Sequence, residues 1–201
     1  ATGLGNPKGE TNVVSGAGSV WVPSDPAGKV ARIDPATNTV IATIPVTAQT
    51  WYLAFGFDAV WAVSSEGSSL ERIDPATDTV TGKVAMGNTP GFLAAGEGAV
   101  WVQEQGDGTV AKVDPASLTV LGRTKIGPKL KWGDIDTGAG AVWLRTTEDQ
   151  TMVVIDADTL AIRARMGPGV GSGALRWTPQ GVWTSAHDNQ TLSWWSKPQQ
   201  K

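Results

Sequence analysis

The stretch AVWAVSSEGSSLERIDPATDTV, residues 59–80, decides the fold because the chain repeats its pattern. The pattern occurs forty residues earlier as SVWVPSDPAGKVARIDPATNTV (19–40) and forty residues later as AVWVQEQGDGTVAKVDPASLTV (99–120). Two weaker copies surround Trp143 and Trp183, and the five repeat tryptophans are separated by 40, 40, 42 and 40 residues. A period of this size indicates a stack of similar supersecondary units.

Each unit is predicted to contain four β-strands and no helix. In the second unit, the segments WYLAFGF, AVWAVSS, SLERID and DTVTGKVAM are rich in β-branched and aromatic residues and are separated by turn sequences. No window places apolar residues at helical spacing. Four antiparallel strands repeated radially describe a blade of a β-propeller. The sequence therefore predicts an all-β protein, a β-propeller of five four-stranded blades.

The repeat also sets the expected blade boundaries within a single domain of residues 1–201. The blades are expected near residues 10–46, 50–86, 90–126, 132–166 and 172–196. The last repeat ends without a fourth strand, and residues 1–6 align with the end of one. We expect residues 1–6 to complete the last blade, which closes the ring and leaves a monomer. The alternative is that the chain forms part of a larger ring.

The recurrent RIDPAT motif is interpreted as a turn between the third and fourth strands of a blade. Its aspartate follows the repeat tryptophan by thirteen residues at Asp34, Asp74, Asp114 and Asp156. An aspartate at the first turn position accepts backbone N–H bonds, and proline presets φ at the second. The repeat tryptophans are expected to fill the wedges between blades, where a large ring buries on the order of 200 Å². Both motifs are therefore predicted to be scaffold.

Composition and charge exclude several classes of function. The net charge is -3 and the basic residues are scattered, so the chain lacks the electrostatic footprint of a nucleic-acid-binding protein. No apolar run approaches the roughly 20 residues of a membrane-spanning helix. The absence of cysteine excludes disulfides and thiolate catalysis, and it fits an exported protein. We expect no nucleic-acid partner, no membrane insertion, and a periplasmic or secreted location.

The repeat resembles those of two groups of bacterial propellers. The order G-x-G-A-V-W-V, a turn, and V-x-x-I-D-P-A-T-x-x-V is similar to the YVTN-type repeat of secreted and periplasmic proteins and to the blades of the virginiamycin B lyase family. The resemblance covers nearly the whole chain and implies a propeller, although those relatives usually have seven blades. The lyase family also implies a metal-dependent site with more than one histidine and an acidic partner. Here His187 is the single histidine, and no catalytic residue of the family can be matched to this sequence.

The candidate binding site is predicted where the inner strands begin, since loops of neighbouring blades converge on one face of a propeller. Four aromatic residues break the repeat at these positions: Trp51, Tyr52, Phe92 and Trp132. We expect them to form an aromatic rim that stacks on a small molecule, a glycan or a peptide. Hydrogen bonds and charge are expected from Glu10, Lys131, Asp134 and Arg145. The alternative is that the aromatic side chains plug the central channel.

A catalytic constellation is not evident in the sequence. His187 is a weak candidate because it lies in a loop beside Asp188, without an evident nucleophile or second ligand. We expect solvated turns rather than a divalent-cation site at Asp25, Glu66, Asp107, Glu148, Asp149 and Asp188. The sequence therefore predicts a non-enzymatic binding or protein-interaction module without a cofactor. The alternative is a metal-dependent lyase or hydrolase that uses carboxylates and His187.

Overall fold

The computed structural model describes Leu4 and residues 10–131, 133–145, 151–167 and 173–196. These residues form nineteen β-strands in five antiparallel sheets, and no helix occurs among them. None of this described part could therefore cross a membrane as a helix. Each sheet consists of consecutive strands, as a propeller blade requires. The prediction of an all-β propeller built from five repeat units agrees with this architecture.

The strands of each blade run in chain order from the inside to the outside of the sheet. Blade 1 contains β1 (Val14–Gly16), β2 (Ser19–Asp25), β3 (Lys29–Asp34) and β4 (Thr39–Pro45). Blade 2 contains β5 (Thr50–Gly56), β6 (Ala59–Ser64), β7 (Ser69–Asp74) and β8 (Thr79–Ala85). Blade 3 contains β9 (Pro90–Gly96), β10 (Ala99–Glu104), β11 (Thr109–Val113) and β12 (Val120–Lys125). Blade 4 contains β13 (Ile135–Gly138), β14 (Ala141–Arg145), β15 (Met152–Asp156) and β16 (Ile162–Met166), and blade 5 contains β17 (Leu175–Thr178), β18 (Gly181–Ala186) and β19 (Thr191–Ser196).

The aspartates of the repeat occupy the turns after the third strands, as predicted. The N–H of Ala36 donates to Asp34 Oδ1 at 2.8 Å. The same contact is made at Asp74, Asp114 and Asp156. Each turn ends on a residue with positive φ, such as Asn38 at 55°. The motif therefore reverses the chain between the third and fourth strands, and its interpretation as a turn is confirmed.

The repeat tryptophans pack between blades. Trp21, Trp61 and Trp101 are fully buried. Trp61 lies in one cluster with Leu93 and Val102 of blade 3, and its Nε1 donates to the Gly56 carbonyl oxygen at 3.0 Å. Trp183 is the exception, because 41% of its side chain is exposed on the side of blade 5 that faces away from blade 4. The wedge prediction thus holds inside the series of blades and fails at its last member.

Blade 5 has three strands within the described ranges. The predicted fourth strand falls on residues 1–6, which lie outside the described residues except for the exposed Leu4. Completion of blade 5 by these residues therefore stays a prediction. The inner strands of neighbouring blades contact one another from β1 through β5, β9 and β13 to β17, which places the starts of all five side by side.

Candidate functional site

A cavity of about 570 Å³ is lined by residues from all five blades. Five of its lining residues occupy the same repeat position, within two residues of the start of each inner strand. They are Asn12, Tyr52, Phe92, Asp134 and Ala174. Because equivalent positions of all five blades meet at this one cavity, it lies where the five inner strands converge. The repeat thus brings together five positions whose side chains differ in size, charge and polarity.

Tyr52 and Phe92 form an aromatic pair in the cavity wall. Their ring centroids are 4.2 Å apart and the rings are inclined by 37°. Both side chains are half-buried, so part of each ring faces the cavity. Burial, together with the negative charges of Glu10 and Asp134, raises the pKa of Tyr52 to about 12. The phenol therefore keeps its proton at neutral pH and can donate a hydrogen bond.

Asp134 connects blade 4 to blade 5 at the cavity. Its Oδ2 accepts a hydrogen bond from the Leu175 N–H at 3.1 Å, and its Oδ1 accepts one from the Ile135 N–H at 2.9 Å. The exposed Arg176 guanidinium lies 3.4 Å from the same carboxylate. Burial nevertheless raises the pKa of Asp134 above its ordinary value. The partly buried Asp134 carboxylate thus links blade 4 to the first strand of blade 5.

Asn12 makes the corresponding contact between blades 1 and 2. Its Nδ2 donates to the Leu53 carbonyl oxygen at 2.7 Å, and its Oδ1 accepts from the Leu53 N–H at 2.8 Å. A polar side chain thus holds the next inner strand in blades 1 and 4, while the aromatic pair fills the same position between blades 2 and 3. These contacts use one of the two N–H donors and one of the two acceptor lone pairs of Asn12. The other polar lining residues include Glu10, Arg176 and His187.

The structure brings some of the predicted site residues together and leaves others apart. Glu10, Tyr52, Phe92 and Asp134 line the cavity. Trp51 instead lies in a neighbouring cleft of about 200 Å³ that also includes Tyr52 and Phe92. A β-bulge between Thr50 and Tyr52 leaves Trp51 outside the regular pairing with β6, and a bulge redirects side chains. Lys131 is exposed in a further cleft beside Leu130, and Trp132 lies outside the described residues.

Arg145, which the sequence predicts at the ligand surface, is buried in the structure, and its role in binding stays a prediction. Only 1% of Arg145 is exposed, and it does not line the cavity. Its Nη1 donates to the Ser185 carbonyl oxygen of blade 5, and burial lowers its pKa. Its Nε and Nη2 have no hydrogen-bond partner among the residues described. Arg145 lies on the same side of β14 as Trp143, and that side faces the next blade, so its side chain is a blade-to-blade contact.

Several lining residues were missed as site candidates in the sequence. Asn12 aligns with Tyr52 and Phe92, so comparison at that single repeat position would have included it. Arg176 stands where blades 2 and 3 have alanine, which is a comparable break in the repeat. His187, a weak catalytic candidate in the sequence, does line the cavity. The useful signal is therefore any departure from the repeat at these positions, whether or not the residue is aromatic.

The described residues do not fit the metal site that the lyase resemblance implies. Within the described ranges, no group of three His, Asp or Glu side chains is arranged to hold a metal ion. Two of the acidic turn residues accept hydrogen bonds from backbone N–H groups: Asp25 accepts from the Ala27 N–H of its own turn at 2.8 Å, and Asp107 accepts from the Asn88 N–H of the β8–β9 loop at 2.7 Å. Glu148 and Asp149 lie outside the described residues.

Comparison with known proteins shows the fold alone. No family model and no curated protein sequence matches the chain. Virginiamycin B lyase from Staphylococcus aureus is similar in structure, with a TM-score of 0.80 at 14% identity over 92% of this chain and 65% of that chain. Kuenenia stuttgartiensis hydrazine synthase gives 0.76 at 12% identity over 94% and 59%, and the Neurospora crassa Pan2 WD40 domain gives 0.72 at 14% over 94% and 66%. The chain thus spans less than two thirds of each of these propeller-containing chains, and their different names show that the fold does not fix the function.

Proposed function

We propose that the protein is a non-enzymatic binding β-propeller whose cavity binds a small molecule, a glycan or a peptide side chain with the residues at the starts of its inner strands. The observation that carries this proposal is the convergence of five equivalent repeat positions on one cavity, where two of them present aromatic rings in tilted contact. Packing around a symmetric channel would favour one small residue type in every blade. The cavity of about 570 Å³ also falls in the range of about 300 to 1,000 Å³ that is common for ligand pockets.

The chemistry of the lining defines the class of ligand. A flat or sugar ring stacks on the exposed part of the Tyr52 and Phe92 rings, which supply apolar contact at little entropic cost because their cores hold them in place. The Tyr52 phenol donates a hydrogen bond, while the carboxylate of Glu10 accepts one from a ligand hydroxyl or amine. The ligand therefore combines a ring with polar substituents on one edge.

A panel of monosaccharides and disaccharides, aromatic heterocycles and aromatic dipeptides tests the proposal by calorimetric titration. For a compound that binds, Tyr52→Ala and Phe92→Ala should each weaken affinity by about 1 to 3 kcal/mol, as expected for loss of an aromatic anchor. Phe57→Ala is the matched control, since Phe57 is an exposed aromatic residue of the β5–β6 turn and does not line the cavity. Binding that is unchanged in both cavity variants would contradict the proposal, as would the absence of binding across the panel.

The channel-plug alternative predicts a different result for the same variants. If Tyr52 and Phe92 serve packing alone, their truncation should destabilise the fold by about 3 to 5 kcal/mol through a cavity. Their half-burial favours the binding role, because a plug would enclose both rings. Melting temperature and affinity measured on the same preparations separate the two roles.

A second candidate function, a metal-assisted lyase or hydrolase, is supported by one observation: His187 lines the same cavity as Glu10. This function requires activity that is lost both in His187→Ala and after chelation. If neither treatment changes any activity found in a cell-free screen while Phe92→Ala weakens ligand binding, the enzymatic alternative is excluded.

A further inference from the structure

The interfaces between consecutive blades are built from the same two surfaces each time. We call the side that carries the repeat tryptophan the trailing face and the side that receives the preceding blade's tryptophan the leading face. Trp21 of blade 1, for example, packs in one cluster with Leu53, Val60 and Ile73 on the leading face of blade 2. Trp101 of blade 3 packs in the same way against blade 4. Each internal interface thus joins one trailing face to one leading face.

The trailing face of blade 5 lacks this cover. Trp183 is 41% exposed, whereas its equivalents in the first three blades are fully buried. Trp194 of the neighbouring strand is also exposed and contacts Trp183 with ring centroids 4.6 Å apart, and Leu192 extends the apolar surface. On the opposite side of β18, Val182 is buried against blade 4. The exposure is therefore confined to the side on which another blade would pack.

The leading face of blade 1 is uncovered in the complementary way. Val13 is 62% exposed, whereas Leu53 at the same repeat position of blade 2 is 1% exposed. In β2, Val20 and Val22 on the leading face are only half-buried, while every residue of β6 and β10 is buried. Val22, for instance, is half-buried, and its equivalent Ala62 is buried. The first blade thus presents an apolar face that is made to receive a tryptophan.

We propose that the trailing face of blade 5 and the leading face of blade 1 are docking surfaces for further propeller blades of the same repeat type, seated between them. Such a blade offers apolar residues at the repeat positions of Leu53, Val60 and Ala62 to Trp183. The last blade of the inserted set offers a repeat tryptophan to Val13. This occupant continues an interface that the molecule already forms between its own blades. Solved propellers of the same fold are also longer than this chain, which covers 59%, 65% and 66% of the three compared above.

Insertion of further blades differs from the direct closure of the ring by residues 1–6 that the sequence predicts. Direct closure would bury Trp183 against Val13 of the same chain and would leave no space for a further blade. Both faces are exposed together in this structure, which favours an inserted blade over direct closure. None of Trp183, Trp194 and Val13 lines the cavity, so the test of this inference does not depend on ligand binding. Inserted blades would nevertheless add residues to the cavity wall between Glu10 of blade 1 and His187 of blade 5.

The test supplies the missing cover from the protein's own sequence. A second copy of residues 47–126, which holds blades 2 and 3, is appended to the C-terminus of the full chain. Trp183 then meets a copy of the Leu53 face, and Val13 meets a copy of Trp101. Hydroxyl-radical footprinting with peptide mass spectrometry reads the oxidation rate of Trp183, and the fully buried Trp21 is the internal reference.

The proposal predicts several-fold faster oxidation of Trp183 than of Trp21 in the original chain, and a rate close to that of Trp21 in the extended chain. The matched control carries Leu53→Asp and Ala62→Asp in the appended copy alone, and it should leave Trp183 as reactive as before. Three results would overturn the proposal: protection of Trp183 in a monomeric original chain, which means direct closure; protection in a stable oligomer of that chain, which means a second copy; or continued reactivity of Trp183 in the extended chain.

Discussion

Replacing Trp61 by alanine should destabilise the protein far more than the same replacement of Trp183, although both residues occupy the repeat tryptophan position. A buried indole removes about 200 Å² from water, and at about 25 cal/mol per Å² this gives about 5 kcal/mol as an upper value. Core Trp→Ala replacements cost about 3 to 5 kcal/mol. Trp61 is fully buried and donates to the Gly56 carbonyl oxygen, so we expect about 4 kcal/mol for its loss.

Trp183 should contribute less because 41% of its surface already faces solvent and its removal leaves no closed cavity. We expect about 1 to 2 kcal/mol, mainly from its contact with Trp194. Urea unfolding followed by circular dichroism measures both values, and equal m-values are required because stacked repeats can unfold in parts. In melting experiments the difference amounts to about 2 to 4 °C for each kcal/mol in a chain of this size. Equal losses in the two variants would refute the assignment of an uncovered face to blade 5.

Three further predictions concern the turns and the cavity. Asp74→Ala should lower the free energy of unfolding by about 0.5 to 1.5 kcal/mol, since the carboxylate accepts the Ala76 N–H and the Thr77 hydroxyl, and it should leave ligand affinity unchanged; a loss of affinity at unchanged stability would show a functional role. The phenol of Tyr52, the single tyrosine, should titrate near 12 by phenolate absorbance in the folded protein and near its ordinary value of 10 in urea, and equal values would contradict its burial beside Glu10 and Asp134. Acid should destabilise the fold, because backbone N–H donors lower the pKa values of Asp34, Asp114 and Asp156 below the ordinary 3.8. In acid the unfolded chain then binds more protons than the folded chain, so the stabilisation by these carboxylates is present above about pH 4 and is lost as the pH falls. Asp156→Asn should reduce the loss of folding free energy between neutral and acidic pH, and an unchanged loss would contradict this role of Asp156.

The blades were predictable because one pattern recurs with its turns. The Trp61 unit contains both the tryptophan that fills the wedge and the RIDPAT turn, and each has a local physical reason that does not depend on the rest of the chain. The same comparison of repeats identified Glu10, Tyr52, Phe92 and Asp134 as exceptions, and the structure places all four at one cavity.

The remaining features depend on geometry that the repeat does not encode. A bulge in β5 moved Trp51 into a neighbouring cleft, and a bulge has no fixed sequence signature. The side of β14 on which Arg145 lies decides that it packs between blades, and a polar residue at a strand end gives no sign of this burial. The exposure of Val13 and Trp183 depends on what covers the ends of the blade series, which their own repeat positions do not reveal.

Binding at the cavity where the inner strands converge is the central claim, and Tyr52 provides the most direct measurement of it. Because the chain has a single tyrosine, incorporation of ring-labelled tyrosine gives one set of NMR signals that needs no assignment. Titration with the panel of sugars, heterocycles and aromatic dipeptides should shift these signals saturably for at least one compound. Phe92→Ala should weaken the affinity for that compound, while Phe57→Ala should leave it unchanged. Signals that stay unmoved by every compound, or that move equally in both variants, would contradict the claim that this cavity is a binding site.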